Sequence, residues 1–347
     1  MRKWQSIFVL FISLFFLIAC GDNRDTTSKN DEGKTQSAEQ DNFSGELSFY
    51  TSQPDEDAQK LVNAFNKKYP NIKVNIFRSG TEEVIAKIHA EKEAGKIQAD
   101  VLLVADAVTF ENLKNDDLLL PYKSKETEFI PEQFIDPQGM YTGTKVMATV
   151  LAVNTNHVKK IPDSWKVLTE GEAREKAIMP SPFYSGAAAY NLGIFTRQDD
   201  FTWDFYEKIK ENGMAVTKGN GGVLKAVASG ERAYGMVVDF LVLRAKNDGS
   251  PVEFFYPKEG VPVITEPIGI LKDTKNEQAA KVFVDFVLSE EGQQLASQLG
   301  YTPIRIGVNS PEGLKSVDEL NVLNANISEL YHSRHQDKEK FGEIFGQ

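Results

Sequence analysis

Cysteine is almost absent: Cys20 is the only one in 347 residues, so no disulfide can form within the chain. Histidine is scarce too, limited to His89, His157, His332 and His335. The last two have a His-x-x-His spacing, but in a charged segment with no third ligand that pattern reads as surface. Basic residues do not dominate: 39 Lys and Arg face 50 Asp and Glu, a formal charge of −11. Phosphate-backbone binding needs basic stripes, so nucleic acid is excluded as a partner. A small anion is not excluded, because a cleft can be locally positive on an acidic protein. The chain has no phosphate loop, no G-x-G-x-x-G, no nucleophile–base set and no fixed repeat. Gly219-Asn220-Gly221-Gly222 comes nearest to a phosphate loop, without its lysine or spacing. Catalysis is not expected, and no cofactor.

The longest apolar run, Ile7 to Ala19, falls short of the ~20 residues that span a bilayer. It follows a cationic Met1-Arg2-Lys3 and ends in Leu17-Ile18-Ala19-Cys20-Gly21, which resembles the bacterial lipoprotein signal. The resemblance implies a signal peptide over 1–19, lipid on Cys20 and anchoring at the extracytoplasmic face of the cell membrane. Residues 20–44 contain almost no apolar residue and read as a flexible tether. The remainder exceeds what one hydrophobic core usually supports, so two lobes are expected.

Strand and helix patterns then alternate. GELSFYTSQ (45–53), NIKVNIFRSG (71–80) and ADVLLVADA (99–107) read as strands, with helices over 58–69, 81–95 and 109–120. A long apolar strand, VMATVLAVNT (146–155), opens a second series running through 177–246. VPVITEPIGILK (261–272) returns as a strand, 276–300 reads as one amphipathic helix, and the tail from Val317 to Phe345 reads as charged helix. The pattern predicts an α/β fold of two lobes, each a doubly wound, mainly parallel sheet, joined by two crossing strands. Lobe 1 is expected over 45–147 plus 266–315 and lobe 2 over 148–265. A helical tail follows over 316–347.

Several phrases, YTSQPDEDAQKLVNAF, RSGTEEVIAKI, YSGAAA and NEQAAKVFVDFVLSEEGQ among them, resemble the solute-binding proteins of ATP-driven importers. The likeness is to the ferric-ion, phosphonate and hexose-phosphate branch of the type II periplasmic-binding-protein family. In such sheets the ligand lies beyond the strand ends, near helix N-termini. Those positions here are Thr51, Ser52, Gln53, Ser79, Gly80, Thr81, Asp106, Tyr184, Ser185, Gly186, Ala187, Asn220 and Gly221. Small and hydroxylated residues ahead of a helix expose N–H groups to an anion, although each is also a helix cap. The resemblance implies that Ser185 to Ala187 bind an anion through their backbone.

Ferric-binding relatives carry a His, a Glu and a tyrosine pair where this chain has Pro54, Ala105 and Asp239-Phe240, so no iron site of that type is expected. Asp239 stands inside the apolar run YGMVVDFLVLR, where a carboxylate needs a partner. With Glu266 it could grip sugar hydroxyls, or it could cap the helix that follows. Phe240, Tyr184 or Tyr256 could stack on a sugar, and Arg78, Lys145 and Lys218 are the candidate cations. The expected ligand is a phosphorylated small organic anion, hexose phosphate first, then a phosphonate or phosphoglycerate. The expected partners are an ABC permease and ATPase, or a membrane sensor kinase, with the protein acting as a monomer. Ferric iron through another oxygen set, thiamine or another organic cation, and an extracytoplasmic phosphatase are the alternatives.

Overall fold

The computed structural model describes residues 43–347. The expected signal peptide, Cys20 and all but the last two residues of the tether lie outside the described residues.

The first half alternates β1 (Gly45–Thr51), α1 (Asp55–Lys68), β2 (Ile72–Arg78), α2 (Thr81–Glu93), β3 (Val101–Leu103), α3 (Ala107–Asn115) and β4 (Leu119–Leu120). The long β5 (Thr142–Asn154) leads to β6 (Ala177–Pro180), α4 (Gly186–Phe195), α5 (Thr202–Glu211), β7 (Ala215–Thr217) and α6 (Asn220–Ala228). Then come β8 (Tyr234–Val238), α7 (Asp239–Asn247), β9 (Val252–Phe255) and the second long strand, β10 (Val261–Leu271). The chain finishes with α8 (Glu277–Leu288), α9 (Glu290–Gln298), β11 (Thr302–Pro303), β12 (Val322–Leu323) and α10 (Ile327–Phe345).

The strands run in the order β2-β1-β3-β10-β5-β8-β6-β7. Pairing is parallel within β2-β1-β3 and within β8-β6-β7, and antiparallel where β10 and β5 join these groups. Each group belongs to one lobe, and β5 and β10 run through both. In lobe 1 the side chains alternate between two cores. Leu47, Phe49, Val101 and Leu103 pack under α1 and α8, while Tyr50, Leu102 and Val104 pack with Val84 and Phe110 on the other face. That alternation makes the sheet doubly wound. Phe49, Phe65, Phe283 and Phe286 meet in tilted and edge-to-face contacts with ring centroids 4.9 to 5.5 Å apart, each ring worth about 1.5–3 kcal/mol on full burial. Lobe 2 has its own core around Val150, Leu151, Trp165, Phe195 and Val237.

Several expectations change: the helix expected over 109–120 ends at Asn115 and Leu119–Leu120 is strand β4, and the helix expected from Val317 begins only at Ile327, after β12. The single helix expected over 276–300 is broken at Ser289, whose ψ of 164° leaves the helix while its Oγ accepts from the Gly292 N–H and starts α9. Gly292 also lies close against the end of α8: a Cβ there would come within 2.2 Å of the Phe286 carbonyl oxygen. The C-terminal helix, expected to stand apart as a charged tail, is packed. Leu330, Phe341 and Phe345 join the lobe 2 core, and Arg197 on that lobe pairs with Asp337 at 2.9 Å. From this base α10 reaches across to lobe 1. Arg334 binds Asp106 at 2.9 Å and Glu82 at 3.0 Å, and Lys338 also pairs with Glu82. Burial opposes ionisation of Glu82, yet the Arg334 and Lys338 charges outweigh it and hold the carboxyl below its ordinary range.

Candidate functional site

A cavity of about 440 Å³ opens between the lobes. Lobe 1 lines it with Ser52, Gln53, Pro54, Asp55, Arg78, Gly80, Thr81 and Ala105, all at strand ends or helix starts. Lobe 2 contributes Tyr184 to Ala187 at the start of α4, Lys218 to Gly222 at the start of α6, and Val238, Phe240 and Leu241. The crossing strands and the segment after α9 supply Met147, Glu266 and Tyr301.

Local chemistry builds the lobe 2 wall. Ser185 caps α4 by accepting from the Ala188 N–H at 3.2 Å, which leaves the N–H groups of Gly186 and Ala187 without intrahelical partners. Asn220 ties the two helix starts together: its Nδ2 donates to Ser185 Oγ at 3.3 Å, and its Oδ1 accepts from the Val238 N–H at 3.3 Å. Neither α4 nor α6 has an acidic residue in its first turn, so the positive ends of both helix dipoles remain uncompensated. Lobe 1 differs. Asp55, Glu56 and Asp57 occupy the first turn of α1, Glu82 and Glu83 that of α2, and Asp106 caps α3.

Of the candidate cations, Arg78 lines the cavity and enters no ion pair among the described residues. Its Nε donates to the Gln53 carbonyl at 2.7 Å. Lys218 also lines it, but pairs with Glu83 across the cleft at 2.8 Å and lies 4.4 Å from the centre of the Tyr184 ring. That hydrogen bond to Glu83 raises the Lys218 amine above its ordinary value. Lys145 is buried away from the lining and holds Glu266 at 2.5 Å.

The lobes touch at the cavity edge. The Glu82 N–H donates to the Tyr184 carbonyl at 3.3 Å. A Cβ on Gly186 would lie 2.4 Å from the Ala105 carbonyl oxygen, and one on Gly80 would lie 2.6 Å from the Tyr184 ring and carbonyl. Glycine at both positions permits this approach.

Eleven of the sequence-predicted site residues therefore line one cavity: Ser52, Gln53, Gly80, Thr81, Tyr184, Ser185, Gly186, Ala187, Asn220, Gly221 and Glu266. Four do not. Thr51 is fully buried and donates to the Leu103 carbonyl at 2.8 Å. Ser79 turns to Glu83. Asp106 is buried as the cap of α3 and as the partner of Arg334. Asp239 is buried at the start of α7, where Oδ1 accepts from the Phe240 N–H at 2.8 Å and Oδ2 from the Tyr256 hydroxyl at 3.2 Å. Burial pushes its carboxyl up to about 7 against the pull of the Phe240 and Ala148 N–H groups. Asp239 is the first residue of α7 and not its cap, which is Val238, and it does not line the cavity. Tyr301, Asp55 and Met147 escaped sequence reading: Tyr301 lies beyond the helix break at Ser289, and Met147 looked like core.

Residues 97–327 match the family of bacterial extracellular solute-binding proteins. The chain belongs to that family. An uncharacterised protein of Haemophilus influenzae is 30% identical over 270 residues, covering 75% of this chain and 77% of that one. Iron uptake protein A1 of a Synechocystis strain is 23% identical over 93% of this chain and 91% of its own. Among solved structures, the periplasmic binding protein AfuA of Actinobacillus pleuropneumoniae, with exogenous fructose-6-phosphate bound, superposes with a TM-score of 0.81. It is 25% identical and covers 87% of this chain and 99% of that one. The fold is the type II periplasmic-binding-protein fold. The chain sits in the ferric-ion, phosphonate and hexose-phosphate branch of the binding proteins that serve ABC importers.

Proposed function

We propose that this solute-binding protein captures a phosphorylated small organic anion, hexose phosphate first and a phosphonate or phosphoglycerate next. It would pass the ligand to a membrane permease and its ATPase. One observation carries the reading: the two acid-free helix starts, α4 and α6, face the unpaired Arg78 across one cavity. Backbone N–H groups and a guanidinium together suit a phosphoryl dianion. Glu266 and the aromatic pair Phe240–Tyr301, 4.1 Å between centroids, suit a hydroxylated body. The resemblance of AfuA, solved with a hexose phosphate, supports the same class. In this reading the protein acts as a monomer, is a binder rather than a phosphatase, and is held outside the membrane by lipid on Cys20.

Titration calorimetry with glucose 6-phosphate, glycerol 3-phosphate and 2-aminoethylphosphonate tests it. Heat with at least one is expected, together with a loss of about 10–100-fold on Arg78→Gln, from hydrogen bonds to a charged group worth about 1.5–3 kcal/mol. No heat with any of the three overturns it.

Ferric iron is the second reading, favoured by the iron uptake relative and by the cavity oxygens of Tyr184, Tyr301 and Glu266. Those oxygens are committed elsewhere in part: Tyr301 donates to Asp57 at 2.6 Å and Glu266 is held by Lys145. Among the described residues, no three His, Cys, Asp or Glu side chains group as a metal site. A visible charge-transfer band on adding ferric citrate would establish the iron reading in place of the first.

A further inference from the structure

We infer that the cavity floor selects a neutral, hydroxyl-bearing ligand body over an ammonium-bearing one, and that the Lys145–Glu266 pair sets this choice. The inference rests on the phosphate reading above and names what that site takes at its other end.

Three carboxylates stand near the floor. Asp57 receives Arg244 at 2.9 Å and the Tyr301 hydroxyl at 2.6 Å, and it does not line the cavity. Asp239 is likewise off the lining, occupied by the Phe240 N–H and Tyr256. Glu266 alone reaches the cavity from this group, and it is the direct cross-strand neighbour of Lys145 in the β10–β5 register. Both side chains are nearly fully buried, with Oε2 and Nζ 2.5 Å apart. The register shifts immediately afterwards, between Glu266 and Pro267, so the pair stands where the crossing strand changes its alignment. Glu266 therefore offers acceptor lone pairs to a ligand but no uncompensated charge.

The surroundings push the same way. Lys145 lies 4.8 Å from the Tyr301 ring centre, and Arg244 lies 4.8 Å from that of Phe240 and 5.1 Å from that of Tyr301. Two cations thus stand behind the aromatic pair. An ammonium group delivered to this floor would lose its water and meet no net counter-charge. Asp55, the remaining carboxylate of the lining, is exposed at the rim, where water already solvates an amine. A hydroxyl meets the opposite situation. Gln53 Oε1 is buried with no hydrogen-bond partner among the described residues, whereas Glu266 Oε2 is taken by Lys145 Nζ at 2.5 Å, so only the other carboxylate oxygen lies outside that pair. Both residues line the cavity, and a hydroxyl donor can satisfy the Gln53 amide oxygen or the Glu266 oxygen outside the Lys145 pair without bringing a charge.

Glucose 6-phosphate and glucosamine 6-phosphate differ by one hydroxyl exchanged for an ammonium, so their dissociation constants, measured by calorimetry at pH 6.5, read the floor directly. Glucosamine 6-phosphate should bind at least about 100-fold more weakly, the scale of an uncompensated buried charge. Lys145→Gln should shrink that ratio, and Glu266→Gln should widen it. Structural damage would weaken both ligands alike and leave the ratio unmoved, and the wild-type comparison needs no variant to fold. Equal or tighter binding of glucosamine 6-phosphate overturns the selectivity while leaving the phosphate reading intact. No binding of either sugar phosphate or of glycerol 3-phosphate overturns the phosphate reading, and the selectivity falls with it.

Discussion

The two walls of the cleft are built from the same unit, a strand end followed by a helix start, yet they hold opposite charges. In lobe 1 the first turns of α1 and α2 carry Asp55, Glu56, Asp57, Glu82 and Glu83. In lobe 2 the first turns of α4 and α6 carry glycine, alanine and asparagine. A carboxylate at a helix start compensates the dipole from within the chain, worth about 0.3–1 kcal/mol each at the surface. Lobe 1 has thus used its helix ends for its own stability and for contacts with lobe 2. In lobe 2 only α4 and α6, whose starts line the cavity, are left uncompensated, while α5 and α7 carry Asp204 and Asp239 in their first turns; the two free starts are where the proposed anion would sit.

The comparison can be broken most sharply where the walls meet. Gly186→Ala places a Cβ against the Ala105 carbonyl oxygen, so the lobes cannot approach as they do here. Affinity for glucose 6-phosphate should fall more than about 100-fold while far-ultraviolet circular dichroism stays unchanged, since alanine suits a helix start better than it suits this contact. Next, Ala187→Asp gives lobe 2 the acidic first turn of lobe 1. Calorimetry should show a loss of about 100-fold, through repulsion and the loss of charge-assisted hydrogen bonds worth about 1.5–3 kcal/mol; retained affinity would mean that lobe 2 does not hold the anion.

A smaller change tests the bridge between the lobes. Arg334→Gln leaves Glu82 and Asp106 without their guanidinium, and they regain water only if the lobes separate. Small-angle X-ray scattering of the ligand-free protein should show a larger radius of gyration, with affinity reduced about 10-fold. An unchanged radius would make α10 a lobe 2 element with no hold on lobe 1.

The smallest effect on binding is expected at Asp239, whose carboxyl is turned from the cavity. Its folded-state value of about 7 stands above the ordinary 3.8, so protonation favours the folded chain. That contribution is fully present below 3.8 and is lost as pH rises through 7. Asp239→Asn should remove this decline, raising the melting temperature at pH 8 by several degrees relative to wild type while changing affinity by less than about threefold. A large loss of affinity at unchanged stability would return Asp239 to the site.

Much of the architecture was legible along the chain because it is periodic. The β1 to α3 alternation, the long β5 and β10, and the small-residue starts of α4 and α6 follow from local pattern and helix-end chemistry. The difference between the walls also stands in the sequence, DED and TEE against GAA and NGG, but the pattern of small and hydroxylated residues grouped Thr81 and Asp106 with Ser185 and Asn220. The packing of α10 was not legible, because its charged residues read as a solvated face. Arg334 and Lys338 are cations that cross to the buried Asp106 and the half-buried Glu82, more than two hundred residues away.

The sequence by itself determined the doubly wound halves, the crossing strands and the sign of charge at each helix start, since all of these depend on residues a few positions apart. Only the tertiary structure decided which carboxylate lines the cavity. Asp239 and Glu266 are both acids in apolar strand-like runs, and local pattern treats them alike. Strand register sets Glu266 beside Lys145 on the cavity floor, while the turn into α7 sends Asp239 to its own helix start and Tyr256. Strand register depends on pairing between distant segments, and side chains on a strand change face with every residue, so a shift of one position in β10 would have turned Glu266 away from the cavity.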